Sequence, residues 1–202
     1  MHKTCAPILV TTVILVCAAC TPQPDNPLGK AAADGNLTEL NRLLAEHPSA
    51  KDRQTALMWA ARFGQSEVIP VLVQSGADPN STSGVNDWTV LMHAIHKDQP
   101  RAVLALVNSG ANVNLPGGHG DTPLIMAAGY GYTEIVRILL EHGANAHATL
   151  PNGENALDRA ITGVADIDRF TWGSCQSDTV HVLRQNVPDL RPQNTAKLKK
   201  CS

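Results

Sequence analysis

The sequence predicts an all-α solenoid of about five helix-turn-helix units with β-turn fingers between them. The first observation is a Thr or Asn two positions before a Leu, repeated at steps of 34, 33 and 33 residues: Thr55 and Leu57, Thr89 and Leu91, Thr122 and Leu124, Asn155 and Leu157. The second is a Gly four positions before an Asn or His, repeated at steps of 34 and 33 residues: Gly76 and Asn80, Gly110 and Asn114, Gly143 and His147. The third is a composition of 43% hydrophobic but only 3% aromatic residues, which suits close-packed helices. Two independent markers with one period indicate stacked repeats.

The elements of each unit follow from the residue types at these positions. The Thr and Asn residues of the first marker are predicted N-caps, because their side-chain oxygens accept a hydrogen bond from a free backbone N–H. Gly64 and Gly131 allow a tight turn into a second helix, and Glu134–Leu140 has the apolar spacing of such a helix. The glycines of the second marker end that helix in left-handed backbone. Pro70 falls in the second helix of its unit, where it should bend or destabilise the helix.

This pattern resembles the ankyrin repeat, and the resemblance covers about residues 28–190. It divides the chain into units near 28–50, 51–83, 84–116, 117–149 and 150–190. The second helix of the last unit begins late, which indicates an insert of 11 residues near 164–176. The first unit lacks the opening turn and has polar residues on its outer side, as a terminal cap requires. Residues 191–202 are predicted to be a C-terminal tail.

The N-terminal segment predicts export. Lys3 precedes an apolar run from Ala6 to Ala19 that is shorter than the roughly 20 residues of a membrane span, so residues 1–19 fit a signal peptide. The segment from Cys17 to Cys20 resembles a bacterial lipobox, which implies a diacylglycerol anchor on Cys20. An ordinary secretory signal is the alternative.

The residues after Cys20 predict a tether. Residues 20–27 contain three prolines and no apolar pattern, so they are expected to be extended. Thr21 resembles the class of lipoproteins that are sorted to the outer membrane. The expected location is therefore the bacterial periplasm, with a lipid as the only link to the membrane.

Cys175 and Cys201 form an even pair once the signal peptide is removed and Cys20 is modified. In an oxidising compartment, such a pair is predicted to form a disulfide that holds the C-terminal tail. Two unpaired thiols or a metal pair are the alternatives, and the metal case is weak because no His stands at ligand spacing.

In the ankyrin family, fingertip and inner-helix side chains line a concave groove. The repeat register assigns thirteen residues to this partner-binding position: Asp52, Gln54, Arg62, Phe63, Asn86, Trp88, His96, Lys97, His119, Asp121, Tyr130, Asn152 and Glu154. Phe170 and Trp172 of the insert are expected to extend the groove. Exposed aromatics indicate a binding face, whereas packing between units alone is the other interpretation. Trp59 has a core register and is predicted to be structural.

Other patterns are weak evidence for chemistry. His93 and His96 have an i, i+3 spacing that can hold a metal, but no third ligand is recognisable and His93 occupies a normally buried position. Ser174 and Cys175 lie near His181 in the sequence, without a nucleophile motif around them. A net charge of −2 gives no basic surface for nucleic acid. The sequence therefore predicts no enzyme, cofactor, metal or small-molecule substrate.

The leading interpretation is a non-enzymatic module that holds a protein partner in its groove. Resemblance to small periplasmic lipoproteins suggests a more specific form, an immunity protein that inhibits a secreted antibacterial toxin. A scaffold that supports catalase-linked defence against oxidative stress is an alternative. A hydrolase-like enzyme centred on the insert is another, and an envelope spacer without a specific partner is a further one.

Overall fold

The computed structural model describes residues 24–84, 86–164 and 175–193. Over these ranges the chain forms ten helices and one short hairpin. In chain order the elements are α1 (Pro27–Ala33), α2 (Leu37–Leu44), α3 (Ala50–Phe63), α4 (Val68–Gln74), β1 (Thr82–Ser83), β2 (Trp88–Thr89), α5 (Val90–His96), α6 (Pro100–Asn108), α7 (Pro123–Tyr130), α8 (Thr133–Glu141), α9 (Ala156–Thr162) and α10 (Ser177–Asn186). None of these helices is both long and apolar enough to cross a membrane.

The helices stack as two rows. The inner helices α1, α3, α5, α7 and α9 each pack against the next, and the outer helices α4, α6, α8 and α10 do the same. The Leu residues of the first marker are buried between the units, each with at most 1% of its surface exposed: Leu57, Leu91, Leu124 and Leu157. Fully buried alanines let neighbouring inner helices approach closely: Ala60, Ala61, Ala127 and Ala128. The predicted all-α repeat solenoid is confirmed.

Three of the four predicted N-caps are confirmed. Thr89 Oγ1 accepts from the Met92 N–H at 3.2 Å, and Thr122 Oγ1 accepts from the Ile125 N–H at 3.3 Å. Asn155 caps α9 in a reciprocal arrangement, since its own N–H donates to Asp158 Oδ2 at 3.1 Å. These caps fix where the inner helices of the last three units begin.

The fourth prediction, that Thr55 is an N-cap, is wrong. Thr55 lies inside α3, which begins at Ala50 and is capped by Ser49, whose Oγ accepts from the Asp52 N–H at 3.1 Å. The reason is the short connection from α2, which ends at Leu44 and leaves no room for a finger before α3. The helix therefore extends backward to the first good cap that the sequence offers.

Pro70 does not carry the cost that the sequence suggested. It is the third residue of α4, whose bounds are Val68–Gln74. The N–H groups of a first helical turn have no acceptor within the helix, so a proline there removes no hydrogen bond.

The repeat domain extends slightly beyond both of its predicted boundaries, residues 28 and 190. Pro27, which the sequence places in the tether, is the first residue of α1, with Asn26 Oδ1 accepting from the Gly29 N–H at 2.6 Å. The first residues of the predicted tail also bind the last inner helix. Asn155 Nδ2 donates to the Arg191 carbonyl at 2.8 Å, and the Gln193 N–H donates to Asp158 Oδ2 at 3.0 Å.

Each of the three fingers is short and closes through backbone contacts. Strands β1 and β2 pair antiparallel, with Thr82 opposite Thr89 and Ser83 opposite Trp88. In the next finger the Gly117 N–H donates to the Asp121 carbonyl at 2.9 Å. In the last finger, a single antiparallel bridge joins Thr149 to Asn155.

Candidate partner-binding surface

The ends of three inner helices and strand β2 bring six of the predicted groove residues onto one surface, which we call the inner face. It consists of Arg62 and Phe63 at the end of α3, Trp88 on β2, His96 and Lys97 at the end of α5, and Tyr130 at the end of α7. Phe63 is exposed, and the other five are partly exposed. Since α3, α5 and α7 occupy successive places in the stack, the period of the sequence itself produces this alignment.

An aromatic row runs along the inner face. The Trp88 and His96 rings have centroids 5.0 Å apart, and those of His96 and Tyr130 are 5.8 Å apart. Nδ1 of His96 lies 3.4 Å from the Tyr130 hydroxyl oxygen, and Tyr130 stacks on the buried Tyr132 at 5.3 Å. The row therefore joins a finger strand and two inner helices into one continuous surface.

Phe63 and Arg62 extend the inner face onto α3. Phe63 is one of two exposed large hydrophobic side chains in the described ranges, at 41%, and the other is Leu104 on outer helix α6, at 39%. The Phe63 ring rests against buried Trp59 at 5.7 Å, and the Arg62 guanidinium lies 6.0 Å from the same indole. Trp59 is 7% exposed, which confirms its predicted core role.

His93 lies beneath the aromatic row. It is 9% exposed, its Nε2 is 2.9 Å from Ser83 Oγ, and its Nδ1 is buried without a hydrogen-bond partner. Burial, followed by the positive charge of Arg62 and the proximity of His96, lowers the pKa of His93 to about 4, against a hydrogen bond to the Ser83 backbone that raises it. The predicted core histidine is confirmed as buried, although only one of its two nitrogens is hydrogen-bonded.

Other predicted groove residues lie in the turns between successive units. The Asn86 carbonyl accepts from the Gly118 N–H at 2.9 Å, and Nε2 of His119 lies 3.4 Å from Asn86 Oδ1, so these two fingers brace each other. His119 and Asn152 are exposed, and Asn86 and Asp121 are partly exposed.

Two predicted groove residues serve internal contacts instead. Asp52 and Gln54 lie on α3 because the finger expected there does not form. Asp52 Oδ1 accepts from Asn26 Nδ2 at 3.2 Å, and Gln54 bonds both the N–H and the carbonyl of Asp78 and also the Ser81 hydroxyl. Their predicted fingertip position is therefore wrong.

Glu154 is also misplaced by the sequence analysis. It is 8% exposed, and its Oε2 lies 3.6 Å from Arg159 Nη1. The finger closes back on itself, with the Leu150 N–H donating to the Glu154 carbonyl at 2.8 Å. This closure turns the Glu154 side chain inward, a rotation that the register does not encode.

An amide ladder that the sequence patterns did not predict aligns the turns of successive units. In each rung, a side-chain amide donates to one backbone carbonyl and accepts from one backbone N–H of the next turn: Gln54 with Asp78 at 3.0 and 2.9 Å, Asn80 with Gly110 and Asn112 at 3.1 and 2.7 Å, and Asn114 with Gly143 and Asn145 at 3.1 and 2.7 Å. The signal was present in the second marker, whose final position is Asn twice and then His. An amide can perform both roles at once, whereas His147 pairs with Asp189 at 3.3 Å.

Several predicted residues lie outside the described ranges: Cys20, Phe170, Trp172 and Cys201. Cys175 is described and packs against the core, partly exposed. Within the described ranges, no group of three or more His, Cys, Asp or Glu side chains could hold a metal.

A family model for ankyrin repeats matches the chain in three copies, over residues 8–83, 28–117 and 91–170. No curated protein matches the chain.

Proposed function

Because the chain belongs to the ankyrin-repeat family, whose members generally serve as non-enzymatic protein–protein interaction modules, we propose that its inner face holds a protein partner. The observation that carries this proposal is the partly exposed row of Trp88, His96 and Tyr130, with rings 5.0 and 5.8 Å apart. Aromatic side chains provide large contact areas at little entropic cost and dominate the energy of many interfaces. Exposed Phe63 adds an apolar contact beside this row.

The proposed setting is the periplasmic side of a bacterial membrane, most simply the outer one, with the protein anchored through a lipid on Cys20. The lipobox-like segment that ends at Cys20 supports this proposal. Since α1 already begins at Pro27, only about six residues separate Cys20 from the folded domain. At roughly 3.3 Å per extended residue, these residues reach about 20 Å. A partner on the inner face is then held close to the lipid headgroups.

The specific form of this function that we favour is immunity. An inhibitor held near the membrane would meet a toxin delivered into the periplasm before the toxin reached its target. Inhibition requires only that the inner face cover a surface of the toxin, and no catalytic group is needed on the immunity protein.

Phe63→Ala tests the proposed face, with Leu104→Ala as its matched control. The two side chains have nearly equal exposure, 41% and 39%, but lie on an inner and an outer helix. In a pull-down from native membranes with the full-length detergent-extracted protein, Phe63→Ala should weaken recovery of one prominent protein on the order of tenfold, as expected for an interface aromatic. Leu104→Ala should leave that recovery unchanged.

The same two variants test the immunity form. A deletion strain grown against its toxin-delivering parent should lose survival, and complementation with Leu104→Ala but not with Phe63→Ala should restore it. Equal survival of the deletion strain excludes immunity while leaving the binding face standing. Equal recovery by both variants in the pull-down excludes the face itself.

A further inference from the structure

Arg62 gives the inner face a chemical preference. Its guanidinium lies beside Trp59, and its charge acts on the His93 ring of α5. It precedes Phe63 in the chain, and the His93 ring on which its charge acts contacts Trp88 at 5.8 Å. We therefore expect a partner that covers both Phe63 and the aromatic row to contact Arg62 as well.

Covering Arg62 has a cost that depends on the partner. Among the ion pairs of the described residues, none involves Arg62. Removing water from an uncompensated guanidinium is unfavourable, so a purely apolar occupant loses free energy at this position. A basic occupant is repelled, whereas a carboxylate can accept two parallel hydrogen bonds from the guanidinium. His93 adds no second positive charge at neutral pH, because burial keeps its imidazole unprotonated.

We propose that the inner face binds a protein segment in which an aromatic or large aliphatic side chain stands next to an Asp or Glu. The apolar side chain packs against Phe63 and the row of Trp88, His96 and Tyr130, and the carboxylate pairs with Arg62. This inference rests on the proposed function, since it names the chemistry of the occupant of the same face. The chain as a whole carries a net charge of −2, so the preference is local and does not arise from long-range attraction of acidic proteins.

The test uses a random 12-residue phage-displayed peptide library, selected against the full-length protein in detergent. Parallel selections use Arg62→Gln and the control Arg137→Gln, an exposed arginine on outer helix α8. Wild type and Arg137→Gln should enrich peptides with Asp or Glu beside Trp, Phe or Leu. Arg62→Gln should reduce the acidic enrichment, because Lys97, the other cation of the inner face, is left in place. Unchanged thermal unfolding of Arg62→Gln confirms that the variant is folded.

A selected peptide then gives a quantitative double-mutant cycle. Arg62→Gln should raise its Kd about three- to tenfold, and replacing the peptide carboxylate by an amide should raise it equally in wild type but not in Arg62→Gln. Enrichment of basic or uncharged peptides, an empty selection, or equal Kd values for wild type and Arg62→Gln overturns the inference. Sedimentation with 3:1 phosphatidylcholine–phosphatidylglycerol vesicles that requires Arg62 also overturns it, in favour of an anionic lipid surface.

Phe63→Ala distinguishes rejection of the acidic preference from rejection of the proposed binding face. Peptide binding that is lost in Phe63→Ala but unaffected by Arg62→Gln leaves the binding face intact and rejects only the acidic preference. Binding that neither variant affects means that the inner face is not the site.

Discussion

His93 links the finger hairpin to the inner helices through a single neutral imidazole. Its Nε2 contacts Ser83 on β1, and its ring meets the Trp88 ring of β2 edge-on at 5.8 Å. The charged and titratable groups that act on it are Arg62 from α3 and His96 from its own helix. Protonation would therefore place a positive charge in a buried position next to another positive charge, with Nδ1 lacking an acceptor.

This arrangement predicts that acid destabilises the protein through His93. The folded-state pKa is about 4 against 6.5 for the exposed ring, so His93 has no effect on stability above pH 6.5. The free energy of unfolding should fall as the pH drops from 6.5 toward 4, by about 1.4 kcal/mol per pH unit at most, and His93 should add no further loss below that. Urea unfolding of wild type and His93→Gln at pH 7.5, 5.5 and 4.5 measures the effect.

The expected result is a smaller loss in His93→Gln than in wild type between pH 6.5 and 4. His181→Gln on α10 is the matched control, because His181 is exposed and its replacement should leave the pH dependence of wild type unchanged. Identical pH dependence in His93→Gln and wild type would show that the buried imidazole does not control acid stability.

At the scale of elements, the amide ladder ties each turn to the next. Asn114 lies in the turn after α6, and its two hydrogen bonds reach the turn after α8. The same bonds recur one unit earlier through Asn80. Each rung therefore fixes the spacing between neighbouring turns with side chains that the repeat period brings into register.

Asn114→Ala should therefore lower the free energy of unfolding by about 1–2 kcal/mol, since it removes two hydrogen bonds between units. Asn114→Asp should fall between wild type and Asn114→Ala, because a carboxylate keeps the acceptor but loses the donor. Asn108→Ala at the exposed end of α6 is the control and should have little effect. Urea denaturation provides the measurement, and equal stability of Asn114→Ala and Asn108→Ala would show that the ladder does not stabilise the stack.

The elements also show where sequence patterns stop being sufficient. Thr89, Thr122 and Asn155 are correct N-caps because a turn precedes each, whereas Thr55 fails because α3 follows α2 too closely for a finger. A Thr or Asn at this position therefore caps the inner helix only where the connection before it is long enough to form a turn. Pro70 was misjudged for a related reason, since its cost depends on where the helix begins.

At the scale of the whole molecule, periodicity predicts the stack better than it predicts the surface. Burial of one Leu per unit follows directly from the spacing, because each unit can cover its apolar side only with its neighbour. Exposure at the rim depends on local geometry: the last finger closes on itself and buries Glu154, whereas Phe63 at the end of α3 stays exposed. The ring contacts between Trp88, His96 and Tyr130 require three-dimensional distances that no single-chain pattern supplies.

A disulfide between Cys175 and Cys201 is predicted to hold the end of the last unit together. Cys201 lies outside the described residues, so the bond stays a prediction, but the described chain on both sides approaches α9. The Gln176 N–H donates to the Ala160 carbonyl at 2.8 Å, and the Gln193 N–H bonds Asp158. A disulfide would thus join Cys175, whose neighbour Gln176 contacts α9, to a residue that follows a second contact with the same helix at Gln193.

Such a bond should stabilise the mature protein by about 3.5 kcal/mol, the chain-entropy value for a loop of about 25 residues. Cys201→Ser and reduction of wild type should lower the free energy of unfolding equally, and reductant should not change Cys201→Ser further. Thiol counts on denatured mature protein, with and without prior reduction, provide the direct measurement. Equal thiol counts, together with a Cys201→Ser variant as stable as wild type, would show that α9 and α10 hold the end of the solenoid without a covalent link.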